Sequence, residues 1–398
     1  MTYPAWLPVL LGFLTAVGPL STDMYLPAFP TIEASLGGRP GTAQITLATW
    51  FAGLAVGQIT QGSLSDRYGR RGPLMVGTAL YTLANAGCAL APDLTTLSTL
   101  RFVAAFGGSA SMVIPRAIVR DLADGQAAAQ LMSRLILVMG VAPILAPTLG
   151  GLMLGVASWH AIFWFTAGYG GVCCVLVWWF LPDTLAPQRR IQLGLGNLAR
   201  RYAGVLRDRR FLAYALMGGF GMFGMFAYIG GSPPVFIQRL AFSPAQYGML
   251  FGASAAMFIV ASQINPRLLP RFGAARVLRT ATSTYLAAAA TLLACAVLDV
   301  GGMFGIVLPV MAAMGSMGFI MPNSAVGAMS RHAAQAGSAS ALMGTMQFCL
   351  AALSGLLVGA LSDGTARPMA ALMLAGALGA VLADRLRPKP NPPVDINA

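Results

Sequence analysis

The chain has 398 residues, 57% of them hydrophobic and only 9% charged, and its mean hydropathy is +0.71. A soluble globular protein carries about a quarter of its residues charged, so this composition excludes a soluble enzyme or scaffold and calls for a bilayer to solvate the exterior. The net charge of +13 would suit nucleic acid, but the arginines cluster in short segments between apolar runs, which is the signature of membrane orientation and not of a nucleic-acid face.

A spanning helix takes about 20 apolar residues. The sequence predicts twelve, over 5–27, 43–64, 73–92, 95–117, 131–156, 159–181, 209–231, 244–265, 276–299, 302–324, 336–361 and 367–386. The fold class expected is therefore an all-α polytopic membrane protein. The first run has no Lys or Arg before Arg39 and contains Asp23, so it reads as an uncleaved span and not as a signal peptide. The connections after even-numbered spans, with the tail, carry most of the arginines, among them Arg67, Arg70, Arg71, Arg120, Arg190, Arg200, Arg207, Arg267, Arg276 and Arg331. The opposite side has only Arg39, Arg239 and Arg367. That asymmetry predicts both termini in the cytoplasm.

The long connection divides the chain into an N-terminal six-helix bundle (1–181), a cytoplasmic linker (182–208), a C-terminal six-helix bundle (209–387) and a tail (388–398). The linker reads either as an amphipathic helix on the membrane surface or as a solvated tether. A weak repeat supports the division. "GQITQGSLSDRYGRRGPL" (57–74) and "SQINPRLLPRFGAARVL" (262–278) share Gln-Ile, Leu and Arg-aromatic-Gly at an offset of about 204 and follow equivalent spans. Two halves related by an axis along the membrane normal are a transporter plan.

"GSLSDRYGRRGPL" (62–74) resembles the loop between spans 2 and 3 of the major facilitator superfamily, through Gly62, Asp66, Arg67, Gly69, Arg70 and Arg71. The resemblance implies a gate at the inner face. In it Gly62 allows close helix approach, and Asp66 faces the N-terminal dipole of the helix near Gly337–Ser340. Arg70 joins Asp66 to Asp121, locking the outward-open state. "LRFVAAFGGSASM" (100–112) resembles the family's fourth-span motif, built on Arg101, with Ala104 where a glutamine is expected. "GVAPILAPTLGG" (140–151) resembles the antiporter motif of span 5, through Pro143, Pro147, Gly150 and Gly151. With "TDMYLPAFPTI", "RAIVRDL", "SWHAIFW" and "GSASALMGTMQF", the chain is similar throughout to the Bcr/CflA branch of drug:proton antiporters. The resemblance implies a monomer in a bacterial inner membrane that exports antibiotics such as bicyclomycin or phenicols, with the proton gradient as energy source and no cofactor. Export of an endogenous metabolite, and uptake by proton symport, are the alternatives.

Asp23 and Arg101 are the charges expected inside the membrane, where ionisable groups are costly and usually functional. Asp23 is expected about 6 Å inside the outer end of span 1, and Arg101 about 9 Å inside the same face of span 4. At a shared level the two would form a proton-coupling site, with Pro27 and Pro30 breaking the helix beside it. The competing reading places Asp23 at the outer surface as a helix cap. Tyr25, Gln58, Phe223, Phe226, Asn323 and Gln347 are the candidate substrate contacts, because buried amides need partners and aromatic walls suit apolar ligands. No P-loop, catalytic triad spacing or metal cluster occurs in the sequence, which argues against ATP hydrolysis and against an enzyme.

Overall fold

A computed structural model describes residues 4, 6–39, 41–122, 125–190, 195–332 and 336–387. Among these residues the regular structure is all helical. The first span is built of three pieces, α1 (Leu7–Thr15), α2 (Val17–Asp23) and α3 (Phe29–Ser35), with a 3₁₀ turn at Leu26–Ala28. Single helices make the rest of the first half: α4 (Gln44–Tyr68), α5 (Arg71–Cys88), α6 (Leu94–Leu122), α7 (Gly125–Leu154) and α8 (His160–Phe180). After α9 (Leu195–Leu206) come α10 (Arg209–Pro233), which continues as a π-helical turn to Arg239, then α11 (Pro244–Phe272) and α12 (Ala274–Leu298). The last three are α13 (Gly302–Met329), α14 (Ala336–Leu361) and α15 (Arg367–Arg385).

Nine of these, among the described residues, are apolar and long enough to cross a bilayer on composition alone. The other three spans are α4, where Gln58, Gln61, Asp66 and Arg67 lower the mean, α5, and α7, whose described apolar stretch is Val141–Leu154. The twelve spans form two six-helix bundles. In the first, α4 and α5 pack on α6 and α8 packs on α5; in the second, α10 and α12 pack on both α15 and α13.

The first span departs from expectation. Predicted to end at 27, it runs to Ser35. Pro27 and Pro30 each fall in the first two positions of a new helical segment, where a missing N–H leaves no bond unmade. The prolines therefore break the helix without ending the span. The linker contains α9, and its Val205 is buried against Phe211, Ala328 and Leu342 of the second half. It is thus docked on the protein, with Arg200 and Arg207 exposed.

Two helix pairs join the halves, α4 with α14 and α7 with α11. Both seams close at the Arg-poor end. Ideal Cβ atoms on Gly355 and Gly359 would stand 3.2 Å from the Ala48 Cβ and 2.9 Å from the Gly41 carbonyl oxygen. Those on Gly248 and Gly252 would stand 2.7 Å from the Pro147 oxygen and 3.0 Å from the Ile144 oxygen. Such approaches need glycine on at least one side. Gln44 adds a bond across the halves, its Nε2 donating to the Gly230 carbonyl at 3.2 Å.

Candidate functional site

Asp23 ends α2 and is 6% exposed, which removes the reading of a surface cap. Twelve residues separate it from Ser35, about 18 Å of helix rise, so it lies deep in the span and not near its end. Its carboxylate forms no ion pair among the described residues. The next residue, Met24, presents its carbonyl to Gly150 of α7, and α11 packs on the Leu26–Ala28 turn just beyond. The Tyr247 hydroxyl shares a 2.8 Å hydrogen bond with Ser232 Oγ. Asp23 therefore sits where α2, α7 and α11 converge.

Arg101 is 1% exposed and lies elsewhere, inside the first half. Its Nη2 donates to the Ser21 carbonyl at 2.8 Å. The guanidinium lies 4.2 Å from the ring centres of both Tyr25 and Trp50, and 5.8 Å from that of Phe163. Trp50 is fixed in turn by its Nε1–H, which donates to Thr22 Oγ1 at 3.0 Å. The expected Asp23–Arg101 ion pair is thus not formed. Helix geometry supplies the reason. Ser21 and Asp23 are two residues apart, about 200° around the helix, so a cation seated at Ser21 is on the face opposite the carboxylate. Aromatic faces and one carbonyl stabilise it instead.

The span-5 motif lies on the α7–α11 seam. Pro143 and Pro147 sit inside α7. A Cβ on Gly150 would meet the Met24 carbonyl, and one on Gly151 the Pro244 carbonyl, each too closely to fit. Gly151 therefore serves contact between the halves, while Gly150 packs within the first half, against the end of α2.

At the Arg-rich end, the gate residues come together. Arg70 is 5% exposed, and its Nε donates to Asp121 Oδ2 at 2.8 Å while Nη1 donates to Asp66 Oδ1 at 2.5 Å. Its backbone N–H donates to Asp183 Oδ1 at 2.8 Å, a partner the sequence reading missed. Gly69 has φ +91°, and a Cβ there would collide with the Asp183 carboxylate, so glycine is required twice over. Burial works against the Arg70 charge, but the two carboxylates outweigh it and hold the guanidinium above its ordinary value. Arg71 donates to the Trp178 carbonyl and stacks on its ring, and Arg67 stacks on Tyr68.

Two expectations about this gate are corrected. Among the described residues every hydrogen-bonded member comes from the first half, so the cluster ties α4, α6 and the segment after α8 together. It is also formed while the Arg-poor end is closed, so its formation does not require that end to be open. Gly62 makes no close helix approach here, since the nearest atom to its Cβ position is a Val113 methyl at 3.6 Å. Asp66 is half-exposed and bonded to Arg70, and part of its expected dipole partner near Gly337 lies outside the residues whose side chains are described.

The candidate substrate residues divide. Gln58 reaches across to Gly344, and Phe226 lies 4.0 Å from Phe51 across the halves, with Phe348 of α14 6.1 Å beyond. Phe223 is buried on α10, and Gln347 lies beside Gly218 within the second half. Tyr25 is occupied by Arg101 and by Thr46, 3.3 Å from its hydroxyl. Asn323 donates to Asn265 Oδ1 at 2.7 Å and to the Phe319 carbonyl at 2.9 Å, so it joins α13 to α11. The Tyr25 and Asn323 side chains are thus engaged within the protein. Glu33 was not foreseen. It is 4% exposed and accepts from the N–H groups of Gly41 and Ala43 at 2.8 and 2.9 Å, capping the start of α4. Among the described residues no cluster of His, Cys, Asp and Glu could hold a metal.

The sequence matches the Major Facilitator Superfamily over residues 11–356. It is 36% identical over 374 residues, 94% of this chain and 92% of the other, to a protein of Bacillus subtilis (strain 168) named uncharacterized MFS-type transporter YdgK. It is 31% identical over 373 residues, 94% of both chains, to the bicyclomycin resistance protein homolog of Haemophilus influenzae. Among solved structures, it superimposes with a TM-score of 0.73 on a bacterial homolog of the human lysosomal transporter Spinster, at 15% identity and 97% coverage of each chain.

Proposed function

This chain belongs to the Major Facilitator Superfamily, and we propose that it exports small drug-like molecules from a bacterial cytoplasm in exchange for protons, with Asp23 as the proton carrier. The relatives named for bicyclomycin resistance and multidrug resistance support the substrate class. The observation that carries the coupling site is a buried carboxylate with no ion-pair partner among the described residues, at the convergence of α2, α7 and α11.

A charge buried without a partner is costly, so the closed seam around Asp23 favours the neutral acid. Opening the seam admits water, and the carboxylate then ionises and becomes available to a polar or cationic substrate. Proton and substrate thereby compete for one group, which is the requirement of antiport. The proton gradient supplies the energy and no cofactor is needed. The positive-inside rule places the Arg-rich end in the cytoplasm. On that orientation the arrangement described above, closed at the Arg-poor end, faces inward. Gln58, Phe51, Phe226 and Phe348 pack together where the halves meet and would face the substrate once they part. The transporter acts as a monomer in this reading.

The test is proton release from purified protein in detergent, on addition of bicyclomycin, phenicols or lipophilic cations near neutral pH. Wild type should release protons with at least one compound, and Asp23→Asn should release none. Affinity for that compound should also weaken as pH falls, by up to about tenfold per pH unit while one proton competes. Equal release by both proteins would exclude Asp23 as the carrier.

A further inference from the structure

The two halves differ most at one equivalent place, the turn after the second span of each. Both helices end at a glycine with positive φ, Gly69 at +91° and Gly273 at +73°. Alignment on these glycines pairs Arg67 with Arg271 and Tyr68 with Phe272, but sets Pro270 against Asp66 and Ala274 against Arg70. Aligning Pro115 of α6 with Pro322 of α13 sets Ala328 against Asp121. The second half has thus kept the basic turn and lost the acidic members of the cluster.

The cations there have no internal counter-charge. Arg267, Arg271, Arg276 and Arg279 are all exposed and form no ion pair among the described residues. No Asp or Glu occurs between Asp208 and Asp299. Asp208 is bonded to His332 and Asp384 to Arg387, while Asp299 is bonded to Arg239 at the other end of the molecule.

Beside these cations is a cavity of about 370 Å³, within the range of small-molecule sites. It exists because α11 and α12 both pack on α13 and scarcely on each other. The floor is Val277, Ala281 and Ser316, which are buried; the rim is exposed and includes Phe272 and Arg276. Thr280 and Thr284 continue the Arg276 stripe at four-residue intervals along α12, deeper into the span. A cation at the mouth of an apolar cleft, open to lipid at the Arg-rich end, suits a molecule with a negative head and a hydrocarbon tail.

We propose that this cleft binds one anionic phospholipid, its phosphate on Arg276 with the neighbouring arginines adding to the field, and its acyl chain along the α12 stripe. Basic pockets between spans on the cytoplasmic side recognise anionic headgroups by this physics. In the first half the ion cluster holds the turn from within; in the second, lipid supplies the missing anion.

Native mass spectrometry of the purified full chain tests this, with phosphatidylglycerol and phosphatidylethanolamine of identical acyl chains added in equal amounts. Wild type should retain one phosphatidylglycerol in preference to phosphatidylethanolamine. Arg276→Ala should reduce retention at least about fivefold, since one basic residue near the headgroup contributes about that factor. Ala281→Phe, which fills the floor and leaves every charge in place, should do the same, whereas Arg276→Lys and Arg39→Ala at the opposite end should retain the lipid. Arg276 is exposed, so its alanine variant folds and decides the matter even if Ala281→Phe does not fold. Equal retention of the two lipids by wild type, or undiminished retention by Arg276→Ala, would overturn the proposal. Displacement of the lipid by millimolar inorganic phosphate would overturn it too, by assigning the site to a free anion.

Discussion

Asp23 and Arg101 show how differently two buried charges can be solved. Arg101 is held by the Ser21 carbonyl and the faces of Tyr25 and Trp50, a planar arrangement that a guanidinium fits and an ammonium does not. Arg101→Lys should therefore lower the thermal midpoint in detergent, with a loss of about 1–2 kcal/mol, whereas Asp23→Asn should leave the midpoint near wild type, because no ion pair is lost. A fluorescence melt of the two variants checks both. The single carboxylate in an apolar run made Asp23 legible in the sequence, and the lone arginine in span 4 did the same for Arg101. Their separation was not legible, because the Arg101 cage draws on residues after α2, on α4 and on α8, and its formation depends on which side of α2 faces inward. Glu33 was hidden for a local reason: with span 1 ended at 27, it fell in a loop. Only the 3₁₀ turn at Leu26–Ala28 brings it into the span.

Helix α7 is the element on which the seam depends, and its glycines are not equivalent to others in the chain. Gly150 and Gly151 face backbone carbonyls of α2's end and of α11's start, and backbone cannot step aside as a flexible side chain can. Gly151→Ala should destabilise the closed seam by about 1–3 kcal/mol, the usual cost of overpacking. It should shift the population toward the state open at the Arg-poor end. Gly62→Ala should be silent in this arrangement, since only a Val113 methyl approaches it. Labelling a cysteine placed at Gln44, in an otherwise cysteine-free protein, reports the difference: faster labelling with Gly151→Ala, unchanged labelling with Gly62→Ala. The spacing of prolines and glycines made α7 recognisable as a special helix, and the count of spans followed from hydropathy. What periodicity could not supply was the partner of each small-residue face, which is fixed by how the two bundles meet. For the same reason the Arg70 cluster was foreseen in its acids on α4 and α6, while Asp183, carried beyond α8, was not.

For the whole molecule, the seams explain how one site can serve both sides of a membrane. Among the described residues the close approaches run from Gly41 to Gln58 along α4 and from Gly151 to Ile144 along α7, with Gly62 meeting only its own half. The halves touch along one end and along the middle, so rocking about the middle would open that end and close the other. The Arg70 cluster, contained within one half, moves as a rigid part of that rocking and keeps α4, α6 and the end of α8 in register. If this is the transport motion, fixing the closed end must stop it. Ala48 and Gly355 are placed for that test, with Cβ positions 3.2 Å apart, close to the separation a disulfide spans. In a background lacking the native cysteines, Ala48→Cys with Gly355→Cys should crosslink on oxidation and abolish export from inverted vesicles. Reduction should restore it, and each single variant should transport under both conditions. Substrate should still bind to the oxidised protein from the Arg-rich side, because the path from that end stays open. Export at the wild-type rate with the crosslink complete would show that the α4–α14 seam does not open during transport, and the motion would then have to run through α7 and α11 alone.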